Sequence, residues 1–161
     1  MPKQFFFLLP DGRVNHADYL TMPRAYLTRR VSFAAAHRYR RPEWSDQKNE
    51  EVFGACSRPS FHGHTYTCEV TIGGDVDQQT GFVIDLGLLD NILDREVKQR
   101  FDHRNINLEV PEFADGKLIP TGENLARFVF ERVSALLPEP AQVQSVTIAE
   151  DRTLSATYRA D

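Results

Sequence analysis

The stretch "HTYTCEVTIGG", residues 64–74, sets Tyr66, Cys68, Val70 and Ile72 against Thr65, Thr67, Glu69 and Thr71 in strict alternation. A period of two with β-branched residues on the polar side predicts a half-buried strand. Upstream, "RRVSFAAAH" (29–37) predicts a second strand with Phe33, Ala35 and His37 on one face. Between them, residues 38–59 are polar and charged and are expected to form a long loop. Downstream, "GFVIDL" runs extended to Asp85, a helix N-cap. Leu89, Ile92, Leu93 and Val97 follow at helical spacing as far as Phe101. A second helix starts at Thr121 and presents Leu125, Phe128, Val129, Val133, Leu136 and Leu137 before Pro138 stops it. "VQSVTIAE" and "TLSATYR" are two further strands around a tight turn at Asp151 and Arg152. Strand, strand, helix, helix, strand, strand is an α+β order, with an antiparallel sheet covered on one face.

The 161 residues are 41% hydrophobic and 26% charged, the balance of one globular domain with a core of its own. A net charge of −4 argues against nucleic-acid binding, which needs a concentrated basic face. The short run "RYRR" (38–41) is the basic candidate, read as solvated or substrate-facing charge. Two irregularly spaced cysteines form no disulfide framework. "FFFLL" (5–9) is too short before Pro10 for a signal core or a membrane span. A cytoplasmic location is therefore expected. Residues 1–27, with the turn "PDGR" (10–13), read as an extension of unknown role, and residues 28–161 as the single domain.

His62 and His64 stand two apart, so on an extended chain both rings project from one face. One ion needs a third ligand from elsewhere, and His37 supplies it if the two strands pair antiparallel. Three histidines and a vacant position make an open zinc site, suited to Lewis-acid chemistry. The ordinary alternative is a set of surface or hydrogen-bonded core histidines, and the spacing alone leaves both readings open.

Other residues carry paired readings too. Cys56 is either a small buried apolar group or, near a cation, a thiol that ionises and accepts a proton. Asp102 beside His103 suits proton transfer, although adjacent side chains commonly diverge. Glu150 at a strand end is either solvated or a buried acceptor for two N–H groups of a heterocycle. Thr121 and Glu123 have the simpler role of helix cap and first-turn charge.

Together "FAAAH" (33–37), "FGACSRPSFHGHTY" (53–66), "GFVIDL" (81–86), "FDHRNIN" (101–107), "PTGENLA" (120–126) and "VTIAED" (146–151) resemble the 6-pyruvoyl-tetrahydropterin synthase family in order and separation. The resemblance implies a ββααββ tunnelling-fold subunit with a four-stranded antiparallel sheet and two helices on one face. It implies that three sheets close into a barrel and two trimers stack into a homohexamer, with active sites between subunits. It implies zinc on His37, His62 and His64, a catalytic Cys56, and Asp102 and His103 as proton-transfer partners. Glu150 would anchor the pterin ring, with Thr121 and Glu123 lining its pocket. Gly122 departs from the family, which often has a second hydroxyl residue there.

The activity implied is zinc-dependent conversion of 7,8-dihydroneopterin triphosphate to 6-pyruvoyl-tetrahydropterin, with loss of triphosphate and no redox cofactor. The five residues between Cys56 and His62 resemble the 6-pyruvoyl branch, since 6-carboxy-tetrahydropterin synthases of the queuosine pathway commonly have a shorter spacer. Two rivals remain: a non-catalytic module with Cys56 as a fourth zinc ligand, and a metal-free pterin-binding protein.

Overall fold

A computed structural model of the chain describes residues 24–160. The "FFFLL" run and the "PDGR" turn lie outside the described residues. The elements in chain order are β1 (Arg24–His37), α1 (Asp46–Phe53), a 3₁₀ turn (Gly54–Ser57) and β2 (His62–Asp75). Then come α2 (Leu86–Leu93), a π turn (Asp94–Lys98), α3 (Gln99–Phe101), β3 (Arg104–Asn105) and α4 (Ile106–Glu109). A 3₁₀ turn (Pro111–Phe113), α5 (Gly122–Ser134), β4 (Gln142–Ala149) and β5 (Ser155–Arg159) complete the order.

The described strands form one sheet in the order β3-β1-β2-β4-β5. β1 pairs antiparallel with β2 from Arg24↔Asp75 to His37↔His62, so β1 starts five residues before the predicted strand at Arg29. The expected antiparallel four are present. The fifth strand, β3, adds a two-residue parallel pairing at Ala35 and Ala36. Two residues are too few for a hydrophobic alternation to announce them.

One face of the sheet carries the core: Phe33 and Ala35, then Tyr66, Cys68, Val70 and Ile72, then Val146 and Ile148, all buried. Between β2 and β4 the register shifts at Thr71/Ile72, so Val143 also turns inward. The helices cover this face with Leu89, Leu93, Val97, Leu125, Val129 and Val133. The opposite face is polar. There Thr28 bonds Thr71 at 2.9 Å, Thr147 bonds Thr157 at 2.8 Å, and Arg30 pairs with Glu69 at 2.6 Å.

Asp85 and Thr121 cap α2 and α5 as expected, accepting from Leu88 N at 2.7 Å and Asn124 N at 3.3 Å. The helix to Phe101 is helical throughout but contains the π turn. That turn sends Glu96 inward, where Arg95, Arg100 and Arg132 donate to it at 2.9, 3.0 and 2.9 Å. α5 ends at Ser134 instead of at Pro138. The N–H groups of Leu136 and Leu137 both turn back to the Val133 carbonyl, because the residue before a proline resists helical geometry.

The expected long loop is corrected by the structure, since it contains α1 and a 3₁₀ turn. Ser45 caps α1, accepting from Lys48 N at 3.1 Å. Buried Asn49 ties it down through Arg41 N and the carbonyls of Arg41 and Trp44. Side-chain bonds of this kind stabilise a mostly polar helix that has no clear apolar stripe.

Candidate metal centre and ring pocket

The β1–β2 register sets His37 opposite His62 and Ala35 opposite His64. Because strand side chains alternate, all three imidazoles share the core face at the end of the two strands. Their ligand atoms lie within 4.8 Å of one another, with His37 Nε2 and His62 Nε2 at 3.0 Å. Zinc–nitrogen bonds of about 2.0–2.1 Å at the tetrahedral angle set ligand atoms about 3.3 Å apart, so this pair already suits a shared ion.

Second contacts prepare the rings. His37 is fully buried, and its Nδ1 lies 3.1 Å from the Pro120 carbonyl and 3.0 Å from the Tyr66 hydroxyl. A carbonyl can only accept, so Nδ1 carries the hydrogen and Nε2 keeps its lone pair for a metal. Burial pushes His37 down to about 4, and burial with the neighbouring His64 lowers His62, so both rings are neutral at pH 7. His64 Nε2 is buried and has no hydrogen-bond partner. A buried nitrogen left so is costly unless something absent from the chain takes it. The donor set fits zinc.

Beside the triad lies a cavity of about 300 Å³ whose walls include Tyr39, Phe53, Thr121, Glu123, Glu150 and Ser155. The three residues expected to receive a pterin therefore meet in one pocket. Glu150, the residue after β4, is buried at 8% exposure. Its Oε1 accepts from Tyr39 Oη at 2.9 Å, and its Oε2 lies 3.7 Å from His64 Nε2. Thr121 lines the pocket while also capping α5. Gly122 is in the same wall, where a Cβ would meet the Ala156 methyl at 3.2 Å. A larger residue there crowds β5.

Cys56 sits half-buried in the 3₁₀ turn, its carbonyl accepting from Tyr39 N at 2.8 Å. Burial and the charge of Glu150 push its thiol above the ordinary value, so the chain's own charges do not make a thiolate. Its sulfur is not in the ligand cluster, which consists of the three histidines.

Asp102 and His103 stand elsewhere within the chain. Asp102 Oδ1 accepts from Ala34 N at 2.8 Å, and His103 N donates to Ala34 O at 2.6 Å. His103 has φ +57° and is 85% exposed, with Nε2 4.0 Å from Asp102 Oδ2. An open groove of about 560 Å³ is lined by His103, Ala34, Ala36, Gly63 and Thr65 and is also reached by His64. The alanines at 34 and 36 alternate with the core residues Phe33, Ala35 and His37, so this groove belongs to the other face of the sheet.

Sequence reasoning missed two residues here. Tyr39 lies within the basic run, two residues past His37, where continued strand alternation would put it on the same face. Asn107 clamps the exit of β1, accepting from Arg38 N at 2.8 Å and donating to Arg38 O at 3.0 Å. No local pattern marks it.

The model for 6-pyruvoyl tetrahydropterin synthase matches residues 26–161. The chain is 37% identical over 137 residues to a 6-pyruvoyl tetrahydrobiopterin synthase of Drosophila melanogaster, covering 85% of this chain and 80% of that one. It is 34% identical over 115 residues to a 6-carboxy-5,6,7,8-tetrahydropterin synthase of Bacillus subtilis, covering 68% and 73%. The solved 6-pyruvoyl tetrahydropterin synthase of Caenorhabditis elegans superposes with a TM-score of 0.81 at 34% identity, covering 87% of this chain and 98% of that one. The chain belongs to the 6-pyruvoyl tetrahydropterin synthase family.

Proposed function

We propose that the protein is a zinc-dependent lyase that converts 7,8-dihydroneopterin triphosphate to 6-pyruvoyl tetrahydropterin with release of triphosphate. The observation that carries this reading is the 3.7 Å between Glu150 Oε2 and His64 Nε2. A ring held by Glu150 would direct its side chain over the three histidines.

His37, His62 and His64 would hold the zinc, which supplies Lewis acidity toward the hydroxyls of the substrate side chain. Glu150 accepts the ring N–H and amino group, and Thr121 and Glu123 border the ring. Cys56 takes a proton from the substrate side chain, and Asp102 with His103 provides the complementary donor.

His103 lines a groove on the other face of the sheet, with Asp102 bonded to Ala34 N beside it, so the pair would serve the site of a neighbouring subunit. Among the described residues β5 has one neighbour, and β1 pairs with β3 only at Ala35 and Ala36. Such open edges favour closure of three sheets into a barrel, with the polar outer face as its lining, and stacking of trimers into a homohexamer. Light scattering should give the hexamer; a monomer at micromolar concentration overturns the shared site. Among the described residues no helix is long and apolar enough to cross a membrane. Two unpaired cysteines suit a reducing, cytoplasmic compartment.

The test is product analysis by mass spectrometry after incubating the zinc-loaded protein with 7,8-dihydroneopterin triphosphate. The 6-pyruvoyl product supports the reading. The 6-carboxy product moves the protein to the second branch, which the Bacillus relative favours. Unchanged substrate refutes both.

A further inference from the structure

Tyr39 contacts His37, Glu150 and the Cys56 carbonyl and has no role in the chemistry described so far. We propose that Tyr39 is a positioning residue that holds the Glu150 carboxylate in the orientation that receives the pterin ring; this rests on the reading of Glu150 as the ring anchor.

A carboxylate offers about four acceptor positions on two oxygens, and its plane turns easily about the last side-chain bond. To receive two parallel donors from a ring it must stop turning. Glu150 is buried, so water does little to fix it. Its contact with His64 is 3.7 Å, beyond hydrogen-bond length. Among the described residues, the bond from Tyr39 Oη to Oε1 at 2.9 Å is the side-chain hydrogen bond that orients it. A phenol is protonated at neutral pH and therefore donates.

Tyr39 is itself held on three sides. Its ring meets His37 edge-on at 4.8 Å and Phe53 at 6.0 Å, and its N–H is bonded to the Cys56 carbonyl at 2.8 Å. The donor is thus fixed by the metal-ligand strand, by α1 and by the turn that carries Cys56. It lines the ring pocket beside Glu150. Its bond spans 111 residues of sequence and joins the exit of β1 to the end of β4.

The experiment uses zinc-loaded wild type, Tyr39→Phe, Glu150→Gln and the double variant. Biopterin affinity is read by fluorescence, zinc content by atomic absorption, and kcat and KM with dihydroneopterin triphosphate. Tyr39→Phe should keep its zinc and weaken biopterin about tenfold or more, the scale of a hydrogen bond to a charged group. KM should rise with it while kcat falls less. The double variant should bind no more weakly than Glu150→Gln alone, because Tyr39 acts through that carboxylate. A purely structural role would instead lower the melting temperature and the active fraction, leaving KM unchanged. The proposal is overturned if Tyr39→Phe binds biopterin normally, if it loses zinc, or if its loss adds in full to that of Glu150→Gln. Normal binding by Glu150→Gln refutes the anchor reading itself and takes the proposal with it; weakened binding there beside a normal Tyr39→Phe refutes the role of Tyr39 alone.

Discussion

The carbonyl oxygen of Ala35 stands 2.8 Å from the point where a Cβ on Gly63 would sit. The obstacle is backbone of the neighbouring strand and cannot rotate away. A bare residue between His62 and His64 therefore lets β2 lie close enough to β1 for His37 to complete the triad. Gly63→Ala should push the ladder apart at the histidine end, costing about 1–3 kcal/mol as overpacking does. Thermal melts with and without zinc check this: the variant should melt lower and gain less from added metal than wild type.

The open three-histidine site predicts about one zinc per chain. His62→Ala or His64→Ala should remove the metal and the turnover together while circular dichroism stays native, since neither ring belongs to the apolar core. Full zinc occupancy in either variant shows the ligand assignment to be wrong.

Cys56 separates a catalytic centre from a closed structural one. Cys56→Ala should keep zinc, oligomer and pterin binding, and lose turnover by roughly 10²–10⁴-fold, the usual scale for an acid–base group. Cys56→Ser should be nearly as poor, because a hydroxyl ionises far less readily than a thiol. Loss of zinc from the Cys56→Ala protein would make this residue a fourth ligand.

Glu96 gives an acid limb to stability. Burial raises its carboxyl, but the hydrogen bonds of Arg132, Arg95 and Arg100 outweigh burial and hold it below its ordinary 4.5. A folded value below the unfolded one means the stabilisation is complete above the unfolded value and is lost as pH falls through the lower folded value. Urea titrations from pH 7 to pH 3 should therefore show wild type losing stability mainly below about 4.5. Glu96→Gln should start about 1–3 kcal/mol less stable at pH 7 and lack that limb. Parallel pH profiles for the two proteins would refute the role of the arginine cluster.

Local pattern determined a good part of this protein. Alternation through Tyr66, Cys68, Val70 and Ile72 made β2 legible, and the same parity put His37, His62 and His64 on one face. Helical spacing with Asp85 and Thr121 as caps placed α2 and α5. These signals need only neighbours a few residues away, so one chain of letters carries them.

What only the tertiary structure decided rests on contacts between distant residues. α1 hides in a charged segment because Asn49 and its backbone partners stabilise it, not an apolar stripe. β3 exists only because Arg104 and Asn105 reach Ala35 and Ala36. Glu96 is buried because a π turn delivers it to Arg132, 36 residues away. The tautomer of His37 depends on Pro120, 83 residues on, and the orientation of Glu150 on Tyr39 at a separation of 111. His103 lines the groove on the opposite face of the sheet from the triad, with Asp102 bonded to the β1 backbone beside it, and no local pattern foretold that separation. A sequence states which groups are available; which of them meet is decided by how the sheet and helices bury their shared core.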